Sequence, residues 1–120
     1  MPRVMEVNGS QLHTEVEEAL NTLFAETPTL DALLFTTDLV ALYGLKYAIK
    51  YGLDVPNKVE IMAVDEASYY DIFPNEISYY RQPLEKMVLM AVEYLMKRIG
   101  DPTLEPISEV VRGEIRNTSF

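Results

Sequence analysis

The chain has no cysteine and a single histidine, His13. The first absence excludes disulfides, thiolate nucleophiles and cysteine-held metals, and leaves the compartment open. The second leaves any histidine-based dyad or triad with one candidate base. His13 precedes Thr14, an expected helix cap, and reads as a solvated loop residue. Positive charge is also scarce: ten Lys and Arg face nineteen Asp and Glu, for a net charge of −9. Nucleic-acid binding rests largely on phosphate neutralisation, so so acidic a chain is a poor match for direct DNA or RNA contact. Lys46, Lys50, Lys86, Lys97 and Arg98 are scattered over helix faces and form no basic stripe. No apolar run reaches signal-peptide or membrane-span length, which makes a cytoplasmic location the default. Glycine-rich phosphate loops, zinc signatures and nucleophile elbows are missing too.

What remains is an ordinary globular composition, 48% hydrophobic and 24% charged over 120 residues, enough for one domain or part of one with a real core. Residues 4–7 read as a short strand that ends in the turn chemistry of Asn8-Gly9-Ser10. Thr14 and Glu17 have the spacing of a capping box. Val16, Ala19, Leu20, Leu23 and Phe24 then recur at helical period up to Pro28. Ala32–Phe35 is a continuous apolar run, as expected for a strand covered on both faces. Thr37 or Asp38 caps a second helix that closes at Gly52. Residues 59–64 and 77–80 read as strands, and Pro83 opens a helix that runs to about residue 99. Residues 107–115 read as a last strand, with Gly113 a candidate bulge. This alternation predicts the α/β class: a parallel sheet with helices on both faces, in three layers.

Such sheets bind ligands beyond the carboxyl ends of their strands. Two acids stand there, Asp38 after the first core strand and Asp65 after the second. Asp38 opens a helix and reads mainly as its cap, worth about 1 kcal/mol. Thr37, one residue earlier, is the better placed to offer a hydroxyl to a ligand. Asp65 has no helix directly behind it to cap, so its carboxylate is free to accept hydrogen bonds from vicinal hydroxyls; a local turn bond is the alternative. Tyr69, Tyr70, Phe73, Tyr79 and Tyr80 cluster around Pro74, and such aromatics more often anchor protein interfaces than stack on ligands. The helix after Pro83 is apolar nearly all round, which calls for cover from several sides.

Taken in order, these segments resemble the LacI/GalR family of bacterial transcription regulators. The resemblance rests on Asp31-Ala32-Leu33-Leu34-Phe35, Thr37-Asp38-Leu39-Val40-Ala41, Gly44 and Ala48, and Gly52-Leu53-Asp54-Val55-Pro56. It continues through residues 59–65, Pro74, Tyr80-Arg81-Gln82-Pro83 and Ile115-Arg116-Asn117-Thr118-Ser119, some 90 residues in fixed order. It implies a two-lobed clamp that senses a small-molecule effector, often a sugar, with DNA bound by a separate helix-turn-helix headpiece absent from this chain. Residues 1–77 would form part of the C-terminal lobe. Residues 78–106 would make the hinge crossing and a helix of the other lobe, and residues 107–120 the return strand and tail. The resemblance makes Asp65, Thr37 and Gln82 ligand contacts. It also implies a homodimer face on Leu42, Leu45, Lys46 and Ile49 together with the loop of Tyr69, Tyr70 and Phe73. Catalysis, cofactor and metal are not expected. The family pattern commonly has Asn where this chain has Thr37, and Gly-Phe where it has Ala63-Val64. The resemblance leaves room for a periplasmic solute-binding protein built on the same clamp. A magnesium-dependent phosphotransfer or hydrolase site on Asp38 and Asp65 is a distant third, since a catalytic site needs more positioned groups than these two.

Overall fold

A computed structural model describes residues 2–118. The elements run α1 (Leu12–Glu26), β1 (Ala32–Phe35), α2 (Asp38–Lys50), β2 (Glu60–Val64), a 3₁₀ turn (Ser68–Ile72), β3 (Ser78–Arg81), α3 (Leu84–Gly100) and β4 (Glu114–Asn117). The strands form one sheet in the order β1-β2-β3-β4. β1, β2 and β3 pair in parallel, with Leu34 level with Met62 and Met62 level with Ser78. β4 returns antiparallel to β3, so the sheet is mixed and not wholly parallel as the sequence led us to expect.

Local chemistry accounts for α2 well. Thr37 has extended backbone angles and its hydroxyl oxygen accepts from Val40 N at 3.2 Å, an N-cap bond to the third helical residue. The cap is thus Thr37, and Asp38 is the first helical residue. Ala41, Gly44, Leu45 and Ala48, spaced at i, i+3, i+4 and i+7, are all buried. Gly52 takes φ +62°, and Leu53 N bonds back to Ala48 O at 2.9 Å, the six-residue loop that closes a helix on a left-handed glycine. α1 lies along α2. Its Val16 and Leu20 are buried, Phe24 stacks on Tyr47 at 6.2 Å, and Tyr47 donates to Asn21 at 2.9 Å. At the far end Glu17 accepts from both Lys50 and Tyr51 at 2.6 Å.

The start of α1 differs from the capping-box reading. Helix begins at Leu12 behind Gln11, which makes no side-chain cap bond, and it is Glu15 that reaches back to accept from Gly9 N at 3.0 Å. His13 is therefore helical and exposed, its ring edge-on to Tyr43 at 5.4 Å. Residues 4–7 are not a strand: no ladder partner lies beside them among the described residues, and Val4 is 83% exposed. A short apolar run becomes a strand only when another strand takes up its backbone groups.

The core lies on one face of the sheet. Leu33, Phe35, Ile61, Ala63 and Ile77 pack with α1, α2 and the 3₁₀ turn through Leu45, Val55, Val59, Tyr70 and Phe73. β1 therefore alternates: Leu33 and Phe35 are buried while Leu34 between them is 62% exposed. The α/β class stands. Of the two covered faces expected, the described helices α1 and α2 supply one.

α3 has no buried residue and stands off the sheet. Pro83 is its N-cap, just before the first turn. With residues 101–113 following in irregular backbone, the Cα radius of gyration is 18.4 Å, against about 13–14 Å for a compact chain of this length. β4 is shorter and later than residues 107–115. Gly113 sits just ahead of it, and a Cβ there would come within 2.8 Å of the Tyr80 ring, so glycine answers a close approach of chains and not a bulge. Thr118 is buried and ties the end of the sheet, with its N–H donating to Ile77 O at 3.0 Å and its hydroxyl accepting from Ile77 N at 3.1 Å. Ser119, the last residue of the family-like closing motif, lies outside the described residues.

Candidate ligand site

The parallel strands end at one edge of the sheet, at Phe35, Val64 and Arg81. Thr37, Asp65 and Gln82, the three expected ligand contacts, all follow those ends. The structure brings two of them together directly: the Gln82 carboxamide donates to the Asp65 carboxylate. Both side chains are half-buried. Thr37 is exposed, and its oxygen is already engaged as the α2 cap, which leaves the hydroxyl proton for an acceptor beyond the edge.

Asp65 is the one non-glycine residue at positive φ (+78°) among the described residues. Aspartate tolerates this left-handed region better than most side chains, though the conformation is rare outside glycine. Two bonds fix it. Asp65 N donates to Tyr80 O at 2.9 Å, and the Tyr70 hydroxyl donates to Asp65 O at 3.0 Å. The turned backbone carries the carboxylate toward Gln82, at the point where the chain leaves the sheet for α3. Beside it Arg81 pairs with Glu66 at 3.0 Å, and both groups are about half exposed.

Asp38, read from sequence as a cap, instead accepts from the Tyr69 hydroxyl at 3.1 Å. Loss of solvent, then that bond and the charge of Asp38, push the Tyr69 phenol up to about 12. Tyr70 is raised also, first by burial and then by Tyr69 and the two acids. Tyr69 thus donates to a side-chain carboxyl group and Tyr70 to a backbone carbonyl, both at the same strand-end edge. Among the described residues no group of three or more histidines or acids is placed to hold a metal.

The expected dimer face divides. Leu45, Tyr70 and Phe73 are core residues, 4%, 1% and 5% exposed, so their side chains have nothing left to offer a partner. Lys46 and Ile49 are exposed, and Leu42 and Tyr69 half-buried. The turn shows Ile72 to solvent instead of Phe73, at 82% exposure. Sequence reading missed the Tyr69–Asp38 and Tyr70–Asp65 bonds. The Tyr70 bond had a local signal, five residues after Asp65, whereas the Tyr69 bond spans 31 residues and left none.

The mixed sheet thus carries a polar edge at its parallel strand ends. Residues 2–118 match the periplasmic binding protein-like domain, and the chain belongs to that family. Within it the similarity runs to LacI-type regulators. An HTH-type transcriptional regulator MalR of Clostridium butyricum is 34% identical over 96 residues, which cover 78% of this chain and 28% of that protein. A LacI-family transcription repressor of Corynebacterium glutamicum superposes with a TM-score of 0.73 at 23% identity, over 87% of this chain and 40% of the other. The glucose-galactose binding protein GanP of Geobacillus stearothermophilus shares the fold at a TM-score of 0.62 and 19% identity, over 88% and 37%. The chain therefore spans well under half the length of the proteins it matches.

Proposed function

We propose that this chain is part of the effector-sensing module of a LacI-type transcription regulator, and that its effector is a small polyhydroxylated molecule such as a sugar. The observation that carries the reading is the Asp65 carboxylate, held at the strand-end edge by Gln82, with Thr37 just past the end of the neighbouring strand β1. A carboxylate accepts from two hydroxyls at once through charge-assisted bonds, while the Thr37 hydroxyl proton adds a donor and the Gln82 side-chain carbonyl an acceptor. The sugar-binding neighbour supports the choice of ligand class.

In this reading α3 belongs to the second lobe, which accounts for its lack of a core partner. Effector binding then shifts the opening of the two lobes, and a headpiece outside this chain reads DNA. The net charge of −9 fits a sensor that leaves DNA to another part. Dimer contact runs through Leu42, Lys46 and Ile49, with Ile72 added from the turn. We assign the protein to the cytoplasm and no enzymatic step to it. Among the described residues no helix is long and apolar enough to cross a membrane.

Calorimetry with glucose and galactose on the longer protein tests the assignment. Saturable binding is expected, and Asp65→Asn should weaken it at least about tenfold through loss of a charged acceptor. Equal affinity in the Asp65→Asn protein would overturn the site. The isolated chain should bind only weakly, since half the clamp is missing, and micromolar affinity there would overturn the two-lobe reading. A second reading, a periplasmic solute-binding protein, is favoured by the likeness to GanP. A monomeric full-length protein in ultracentrifugation would support it over the regulator.

A further inference from the structure

One short 3₁₀ turn, Ser68–Ile72, touches both strand-end acids. Tyr69 donates to the Asp38 carboxylate at 3.1 Å, and Tyr70 donates to the Asp65 carbonyl at 3.0 Å. The two rings meet edge to face at 5.3 Å, and Tyr70 lies 5.6 Å from Tyr79 of β3. Tyr70 is 1% exposed, so its position is fixed by packing on every side. The geometry points to Tyr69 and Tyr70 as positioning residues for the two acids: the pair sets where Asp38 and Asp65 stand at the sheet edge. This inference rests on the proposed role of Asp65 as the ligand acid.

The hydroxyls have work that packing alone would not give them. A phenylalanine would fill the Tyr70 space equally well. The acceptor that Tyr70 uses is the carbonyl of the one left-handed non-glycine residue among those described, where side-chain direction depends on the backbone angle. Fixing that carbonyl fixes the carboxylate that Gln82 meets. Tyr69 secures the other acid, past the end of the neighbouring strand at the same edge, and the ring contact links the two. A single turn thereby sets the separation of two carboxylates, one opening α2 and one following β2.

Nuclear magnetic resonance on the unliganded chain tests this without any effector. Tyr70→Phe should shift the Asp65 carboxyl carbon and the Gln82 side-chain amide signals and leave the Asp38 carboxyl in place. Tyr69→Phe should shift Asp38 and leave Asp65 and Gln82. Tyr79→Phe removes a hydroxyl that meets neither acid and should move none of them. Unchanged Asp65 and Gln82 signals in Tyr70→Phe, or equal shifts in Tyr79→Phe, would overturn the proposal. Should Tyr70→Phe lose its dispersed spectrum, the unmodified chain decides. A Tyr70 hydroxyl proton slow to exchange and coupled to the Asp65 carbonyl supports the role; rapid exchange overturns it. Signals that move as expected in a protein with no affinity for glucose or galactose would keep the positioning role and remove only the sugar reading.

Discussion

The ring of Phe35 fills the space over Gly44: a Cβ on that glycine would stand 2.6 Å from both ring Cε atoms. Helical propensity alone favours Gly44→Ala by about 1 kcal/mol. Overpacking opposes it by about 1–3 kcal/mol, and Phe35, only 5% exposed, has little room to swing away. The clash should win. Urea denaturation is expected to show Gly44→Ala less stable than the parent by up to about 2 kcal/mol. Combining it with Phe35→Leu should cost less than the two changes added together. A more stable Gly44→Ala chain would mean that the ring yields freely.

Asp65 gives a second test of backbone against side chain. Its φ of +78° suits glycine, so Asp65→Gly relieves the turn while losing the Gln82 bond. The two effects are of similar size, about 1 kcal/mol each, and stability should stay within about 1 kcal/mol of the parent. Asp65→Val places a β-branched side chain where it fits poorly, and should lose about 2–3 kcal/mol. Equal stability for the two variants would show that the left-handed turn is not enforced.

Alkaline titration followed by tyrosine absorbance should separate the eight tyrosines. Tyr47 and Tyr70 are raised chiefly by burial, and Tyr69 is held near 12 by burial and then by its bond to Asp38. A phenol raised in the folded state contributes stability that is complete below its unfolded value near 10 and is lost as pH climbs toward 12. Asp38→Asn should bring the Tyr69 transition down, because the nearby negative charge is gone. A Tyr69 that titrates like an exposed phenol in the parent chain would break the Tyr69–Asp38 assignment.

What could be read from sequence follows how local the cause is. β1, α2 and the stop at Gly52 were legible because a contiguous apolar run, a cap residue and a left-handed glycine each act within a few positions. Asp65 and Gln82 were legible as a pair only through family resemblance, since nothing in their spacing states that the strands bring them together. Residues 4–7 and 107–113 failed as strands because a ladder needs a partner, and apolar content alone does not supply one. Glu17 looked like half of a capping box, yet its partners are Lys50 and Tyr51, over thirty residues away. Tyr70 and Phe73 looked like interface anchors for the same reason that they make good core: large aromatic area does not say which side will be covered.

That Glu17 contact predicts an acid limb in the stability profile. The hydrogen bonds from Lys50 and then Tyr51 hold the Glu17 carboxyl below its ordinary value. A depressed carboxylate contributes stability that is present above its unfolded pKa and lost as pH falls through the folded one. Glu17→Gln should flatten the profile below about pH 4.5, leaving the variant slightly less stable than the parent near neutrality and level with it in acid. The pair faces solvent, so added salt should shrink the difference between parent and variant. A salt-independent difference would place the effect in packing instead.

α3 sets the last expectation. Met90 on it is half-buried, and the exposed line runs through Val88, Val92, Leu95 and Ile99, with Met96 alongside. These residues are spaced at i, i+4, i+7 and i+11, one stripe of a helix, and each is more than half exposed. A stripe of that length on a helix with no core partner is larger than a soluble monomer usually shows, and two copies can bury it against each other. Sedimentation should therefore report association of the isolated chain that rises with concentration. Val92→Glu with Leu95→Lys should return it to monomer while leaving the melting of the sheet portion unchanged, because neither side chain reaches the core. In the longer protein the stripe is expected to pack within the second lobe, so the same double change there should destabilise folding. A strictly monomeric isolated chain at high concentration, with both variants indifferent, would show that α3 needs no cover at all.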